Sequence, residues 1–371
     1  HQVTAEAAGR RFDVRVAGST GSICQGSAAA KPRPGPAYRA VGPATAGAAT
    51  PRPIASVTKM MTAYVVLKDH PLNPGEQGPT VTLTETDADR YWTMIAQDQS
   101  ALPVTEGMRF TQYQLLQGML VPSGNNFAEF LANFDAGSQS AFVAKMNEEA
   151  RNLGMTSTTY ADASGFSDGN VSTPADQVIL ARELMQNPVF AQIVGMRTVS
   201  LPGIGSLLTT NEALGHEGII GGKTGFTEEA GGNFAFVARR PLGDRQVDIV
   251  GAVFNQATRP LAFEASRRAV AAVSQGLQTV QVVAAGQQVA TLDTDWGDPV
   301  DVVAGEDVEM LLWPGMSLEA GVELDAVAAP LAEGSQVGWI NLRLGDQEQR
   351  VPLVLANDLN GAGIIWKLTR I

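Results

Sequence analysis

"RPIASVTKMMTAYVVL", residues 52–67, reads as the start of a helix aimed at a core. Pro53 comes just ahead of it, and Ile54, Val57, Met60, Met61, Tyr64 and Val65 follow at helical spacing. Ser56 and Lys59 lie three apart within the run, so both project from one face of a single turn. A serine hydroxyl is a weak nucleophile at neutral pH and needs a base within hydrogen-bond reach. Lysine can be that base only when burial or a neighbouring cation depresses its pKa. The apolar flanks supply burial, and a helix N-terminus favours negative charge developing on Ser56. The structural alternative is that Ser56 caps the helix while Lys59 reaches solvent. Ser-x-x-Lys alone does not choose between the two.

Composition bounds the choice. The chain has 371 residues, enough for two or three domains with substantial cores. With 44% hydrophobic and 17% charged residues it is a globular sequence and too apolar for disorder. A formal net charge of -12 argues against nucleic acid as the main partner, since neutralising phosphates needs a basic surface. An anionic substrate would need a local positive site set against that field. Cys24 is the single cysteine, which excludes intramolecular disulfides and thiolate metal clusters. The histidines, His1, His70 and His216, have no metal-ligand spacing, so no metal or other cofactor is expected. No apolar run has the length of a membrane span, and no signal-peptide pattern opens the chain. His1 in place of Met leaves room for a leader removed earlier.

Outward from residue 52 the pattern divides. Residues 12–17, "FDVRVA", predict a strand, and 18–51 are a tract rich in Ala, Gly, Pro and Ser read mainly as loop. From Arg52 to about Met196 helical spacing dominates, in "TQYQLLQGML" (111–120), "NNFAEFLANF" (125–134) and "SAFVAKMNEEARNLG" (140–154). "STPADQVILARELM" (172–185) adds a start signal, with Thr173 as N-cap, Pro174 at the first position and Asp176 in the first turn. "NFAFVARR" (233–240) and "QVDIVGAVF" (246–254) predict buried strands, and 259–277 a helix. From about 278 short alternating runs punctuated by Gly, Pro and Asp predict a separate all-β domain. The expected domains are therefore 1–277, carrying the chemistry, and 278–371, β-rich and accessory.

Two more motifs tilt the balance at Ser56. "VPSGNN" places Ser123 and Asn125 in a break between helical runs, and "GGKTGFTEEAGGNFAFVA" places Lys223, Thr224 and Gly225 just ahead of a strand. Ser-x-x-Lys, Ser-x-Asn and Lys-Thr-Gly each occur once, in that order, on distinct elements. This trio belongs to penicillin-binding proteins and class A β-lactamases. Together with "MNEEARNLGMTSTTYADASGF" and "STPADQVILARELM", the stretch from about Arg52 to about Leu277 resembles the serine-type D-Ala-D-Ala carboxypeptidases, low-molecular-mass penicillin-binding proteins.

The resemblance implies an α/β (α+β) fold of the β-lactamase/transpeptidase type. An antiparallel sheet flanked by helices would join a helical lobe with the site in the cleft between them, and the β tail fits an accessory domain. It implies that Ser56 attacks the D-Ala-D-Ala carbonyl and Lys59 takes its proton. The backbone N–H groups of Ser56 and Phe226 would hold the oxyanion. Ser123 would relay a proton to the leaving amine, and Asn125 would orient substrate and lysine. Lys223 would supply positive charge and Thr224 would bond the terminal carboxylate. Gly225 has its own physical reason, because a side chain there would crowd a peptide lying along the strand edge. The implied partners are a peptidoglycan stem peptide ending in D-Ala-D-Ala and β-lactams as covalent inhibitors. The implied place is outside the cytoplasmic membrane, with any membrane anchoring carried by segments not in this chain.

Departures and alternatives accompany the likeness. Asn126 stands where many members have aspartate, and no amphipathic helix ends the chain. A class A β-lactamase would carry Glu-x-x-Leu-Asn between the second and third motifs, and none lies between Asn125 and Lys223. An endopeptidase or transpeptidase of the same fold, or a sensor that is acylated without turnover, shares the motifs. Arg259 reads as a solvated arginine at a helix start, His216 as a surface group, and Met60, Met61 and Met119 as core.

Overall fold

The structure is a computed structural model that describes residues 2–7, 10–18, 50–243, 245–294, 297–312, 318–344 and 347–361. The chain splits into two compact units, Thr45–Gln275 and a second drawn from both ends, His1–Ala44 with Gly276–Ile371.

By this division the strand expected at 12–17 groups with the C-terminal strands. The strand expected at 12–17 lies within Arg10–Gly18, which pairs antiparallel with Gln2–Ala7 and parallel with Leu318–Leu324 of the C-terminal sheet. An edge strand offers a row of free N–H and C=O groups that any extended segment can satisfy. Sequence pattern shows that 12–17 is extended but not which edge it joins. Residues 19–49, most of the Ala/Gly/Pro tract, lie outside the described residues.

In the terminal unit, seven strands form one sheet in the order Gln2–Ala7, Arg10–Gly18, Leu318–Leu324, Gln336–Leu344, Gln347–Leu355, Gly297–Ala304, Gln288–Thr294. Gln278–Val283 pairs with Val308–Leu312 beside it. In Gln336–Leu344, Ile340, Leu342 and Leu344 are buried at every second position, and they join Val302, Val337, Val351 and Leu353 in a core belonging to this unit alone.

The unit Thr45–Gln275 is helical first. After a one-turn 3-10 segment, Ala55–Thr58, come helices α1 (Lys59–Asp69), α2 (Glu85–Ala96), α3 (Gln112–Leu120), α4 (Asn125–Ala136), α5 (Gln139–Asn152), α6 (Pro174–Leu184) and α7 (Pro188–Val194). Thr111 starts α3 with a capping box closed by Gln114. Thr173 caps α6, its hydroxyl accepting from the Asp176 N–H at 3.2 Å, with Pro174 at the first position.

Three antiparallel strands follow, Ile219–Thr227, Gly231–Leu242 and Arg245–Gln256, then α8 (Arg259–Gly276). The Gly231–Leu242 strand is central, which leaves Ile219–Thr227 on an edge. Its alternation separates two cores. Phe234, Phe236 and Ala238 pack with Ala262, Phe263 and Val270 of α8, while Ala235 joins the helical core of Ile54, Met61, Leu115, Phe127 and Leu131. A one-residue slip would turn both phenylalanines away from α8, so burial fixes the register that holds the Lys-Thr-Gly strand. Phe234 faces Phe263 edge-on at 5.3 Å and lies opposite Thr224 in that register. Phe234→Ala is expected to lower stability by about 3–5 kcal/mol, read as a fall in the urea midpoint of the transition that exposes the α8 core.

Candidate active site

The 3-10 turn places the nucleophile candidate. Ser56 does not cap the helix; no side chain does at Ile54 or Thr58. Ala55 takes a left-handed φ of 47°, which a non-glycine residue rarely adopts and which turns the chain sharply into Ser56. Ser56 remains half-exposed, within reach of a ligand. Lys59, one turn on, is 0% exposed, so the alternative in which it reaches solvent is contradicted.

Three oxygens surround the Lys59 amine. Nζ lies 2.7 Å from Ser56 Oγ, 2.6 Å from Asn125 Oδ1 and 2.6 Å from the Ser164 carbonyl oxygen. Two of these can only accept. A neutral amine has two hydrogens and one lone pair. In the neutral form the hydrogens would go to Asn125 and Ser164, which would leave the lone pair for the Ser56 hydroxyl, the one partner able to donate. Burial holds Lys59 well below the usual lysine range. The charge of Lys223 pushes the same way, and Asp162 opposes both.

Lys223 is the second buried lysine, 1% exposed. Its ammonium donates to Ser123 Oγ at 2.9 Å and to the Thr224 carbonyl at 3.0 Å. Burial, then the charge of Arg259, brings it down to about 7. Near neutral pH the empty site therefore holds both forms, and an arriving carboxylate favours the charged one. Ser123 sits in the link between α3 and α4 with φ of 71°, a second strained position beside the chemistry. Asn125 opens α4 and gives Nδ2 to Gln99 Oε1 at 2.9 Å.

Gly225 and Gly165 close the site from two sides. A Cβ at Gly225 would lie 2.5 Å from the Ile54 carbonyl oxygen and 3.0 Å from Ser56 N. The crowding is thus against the nucleophile's own turn, in addition to the substrate path the sequence suggested. A Cβ at Gly165, where φ is +85°, would lie 1.9 Å from the Ala55 carbonyl oxygen and 2.9 Å from Ser56 N. Only glycine lets both backbones approach so closely. Phe226 follows Gly225 on the edge strand and is 43% exposed.

All eight residues singled out in the sequence thus belong to elements that meet around Ser56. Four contributors were not singled out. Ser164 acts through its carbonyl, which any residue type could supply. Asp162 builds the loop that presents it: Oδ1 accepts from the N–H groups of Ser164 and Gly165, each at 2.6 Å, and Oδ2 from Ser167 N at 2.6 Å. Thr210 Oγ1 is 2.7 Å from Thr224 Oγ1, and Gln99 holds Asn125. Asn126 has its own task, accepting from Leu102 N at 3.0 Å and donating to Leu102 O at 2.8 Å, which an aspartate could not do at both ends. Arg259 is exposed, as the sequence suggested, and His216 too. Met60, Met61 and Met119 are core.

The chain is similar to several known proteins. DacB2 of Mycobacterium tuberculosis, a D-alanyl-D-alanine carboxypeptidase, is 37% identical over 196 residues, covering 51% of this chain and 62% of that protein. DacA of Escherichia coli, also a D-alanyl-D-alanine carboxypeptidase, is 28% identical over 328 residues, covering 85% of this chain and 79% of that protein. The fold is similar to penicillin binding protein 5 from Haemophilus influenzae, with a TM-score of 0.60 and 24% identity over 84% of this chain and 92% of that one. The family profile described as D-alanyl-D-alanine carboxypeptidase, Peptidase_S11, matches residues 44–258, and the chain belongs to that family of serine peptidases.

Proposed function

We propose that this chain removes the terminal D-Ala from peptidoglycan stem peptides ending in D-Ala-D-Ala, with Ser56 as the acylated nucleophile and Lys59 as its base. The supporting observation is the Lys59 amine buried against Ser56 Oγ at 2.7 Å with its other two partners pure acceptors. Its conjugate acid forms only transiently, as the hydroxyl proton leaves Ser56 for the lone pair. The electron pair of Oγ then closes on the peptide carbonyl. Oxyanion charge develops beside the N–H groups of Ser56 and Phe226. Such donors are each worth roughly 100- to 1000-fold in rate.

The substrate lies along the edge strand Ile219–Thr227, whose outer side pairs with no strand among the described residues. Lys223 and Thr224 receive the terminal carboxylate, and Gly225 leaves the backbone bare where the peptide passes. Ser123, bonded to Lys223, relays the proton taken up by Lys59 to the departing D-Ala amine as the C–N bond breaks, which leaves Lys59 neutral again. Water then hydrolyses the ester and regenerates Ser56. A β-lactam enters by the same attack and remains as the acyl adduct. This work lies outside the cytoplasmic membrane, where stem peptides are, and among the described residues no helix is long and apolar enough to cross a membrane. The terminal β unit serves as an accessory domain to the catalytic one.

Intact-mass measurement after penicillin, beside a D-Ala release assay, tests the assignment. Wild type gains one penicilloyl mass and releases D-Ala, while Ser56→Ala does neither. Labelling without D-Ala release would make the chain a sensor, and rapid release of opened antibiotic would make it a β-lactamase.

The lysines also fix the pH dependence. Lys59 must be neutral, so kcat/KM falls as pH drops through its depressed pKa. Lys223 must be charged, so kcat/KM also falls as pH rises past about 7 in the free enzyme. The basic limb of kcat is expected at higher pH, because bound carboxylate raises the pKa of Lys223. Lys223→Arg should remove the basic limb and leave the acidic one. A basic limb that persists in this variant would assign it to another group.

A further inference from the structure

Gln99 belongs to none of the three motifs. It follows α2, one residue beyond Asp98, whose φ of 54° turns the chain toward the start of α4. Its side chain is buried, and its Oε1 accepts from Asn125 Nδ2 at 2.9 Å. Gln99 is itself oriented, since Nε2 donates to Gln97 Oε1 at 2.8 Å, which leaves the oxygen end for Asn125. The backbone is pinned as well. Asn125 N donates to Ser100 O at 2.7 Å, and the Asn126 side chain bonds both backbone groups of Leu102.

We propose that Gln99 is the positioning residue that turns the oxygen of the Asn125 amide, rather than its nitrogen, toward Lys59, a role resting on Lys59 being the base for Ser56. The two ends of an asparagine amide are nearly equal in shape and differ only in their hydrogens. Reversed, Asn125 would present N–H to Lys59. The lone pair of the amine would then accept from the amide, and the Ser56 hydroxyl would lose its base. The same reversal would set the Asn125 oxygen against the Gln99 oxygen, two acceptors with no proton between them. With Gln99 only 7% exposed, bulk water does not replace the lost acceptor. The chain Gln97–Gln99–Asn125–Lys59 therefore transmits a choice of amide orientation from the end of α2 to the nucleophile.

The rate of acylation by penicillin in Gln99→Met and Gln99→Glu tests this. Methionine has matching length and no acceptor, so labelling should slow about 10-fold or more, a part of the roughly 10²–10⁴ that a general base contributes. KM for a D-Ala-D-Ala peptide should barely move. Glutamate keeps an acceptor at the same place, and the exposed Gln97 side chain can swing away into solvent. Gln99→Glu should therefore label near the wild-type rate once the pH is high enough to offset the carboxylate's pull on Lys59, whereas a purely packing role would leave Gln99→Met the faster at every pH. Wild-type labelling in Gln99→Met, or labelling in Gln99→Glu that stays slow at every pH, overturns the proposal. If Gln99→Met does not fold, the Gln99→Glu rate alone decides. Ser56→Ala separates the two levels: its failure to label leaves the nucleophile standing whatever Gln99 does, while labelling of Ser56→Ala overturns both assignments.

Discussion

Two lysines stand in one unit with 0% and 1% of their surface exposed, and the rest of the site answers to that fact. An ammonium removed from water carries a large desolvation penalty unless it is paired or loses its proton. At Lys59 burial favours loss of the proton and holds the pKa well below the usual lysine range. Every contact it makes suits the neutral amine, and the charge of Lys223 opposes a second cation beside it. Lys223 is brought down to about 7 by burial and then by the charge of Arg259. In the proposed function the penalty of burial would be the source of basicity at one lysine and of affinity for a carboxylate at the other. In a protein of net charge -12, this is also how a local positive site survives.

Holding such a pair requires elements that cannot relax around it. The turn at Ala55–Ser56 is pressed between Gly165 and Gly225, whose missing side chains let two further backbones reach it. Asp162 fixes the first of these backbones. Ser164 Oγ at 3.0 Å and Asn170 Nδ2 at 3.0 Å add to its three backbone bonds, so both carboxylate oxygens are needed as acceptors. Register against the Gly231–Leu242 strand fixes the second backbone. Left-handed residues at Ala55 and Ser123 persist because their surroundings leave no alternative. The strain and the two close approaches lie around Ser56, the proposed nucleophile, where preorganisation would serve the rate.

Much of this was legible in the chain. The helical character of the run through Lys59–Asp69, the cap at Thr173, the strands near 233 and 246 and the all-β character after 278 are consequences of local period and cap chemistry, whereas Arg52–Pro53, expected to open the helix, form a short strand. Residue type was equally legible for Ser56, Lys59, Ser123, Asn125, Lys223, Thr224 and Gly225, because each supplies something its neighbours in the alphabet cannot. The fine placement was less so. Ser56 lies in a 3-10 turn ahead of α1, since Ala55 leaves helical φ and propensity gives no warning of it.

The sequence by itself determined which groups could carry proton transfer and carboxylate binding, and which segments would be helix or strand. Tertiary structure alone decided that Lys59 is dry, that its amine lies against Ser56 Oγ, and that Asp162, Ser164, Gln99 and Thr210 bond to the groups around them. It also decided that the first strands join the C-terminal sheet. The reason is common to all of these. Burial, the direction of a shared proton and the choice of sheet edge depend on partners distant in sequence, and a backbone carbonyl such as that of Ser164 leaves no mark on residue type.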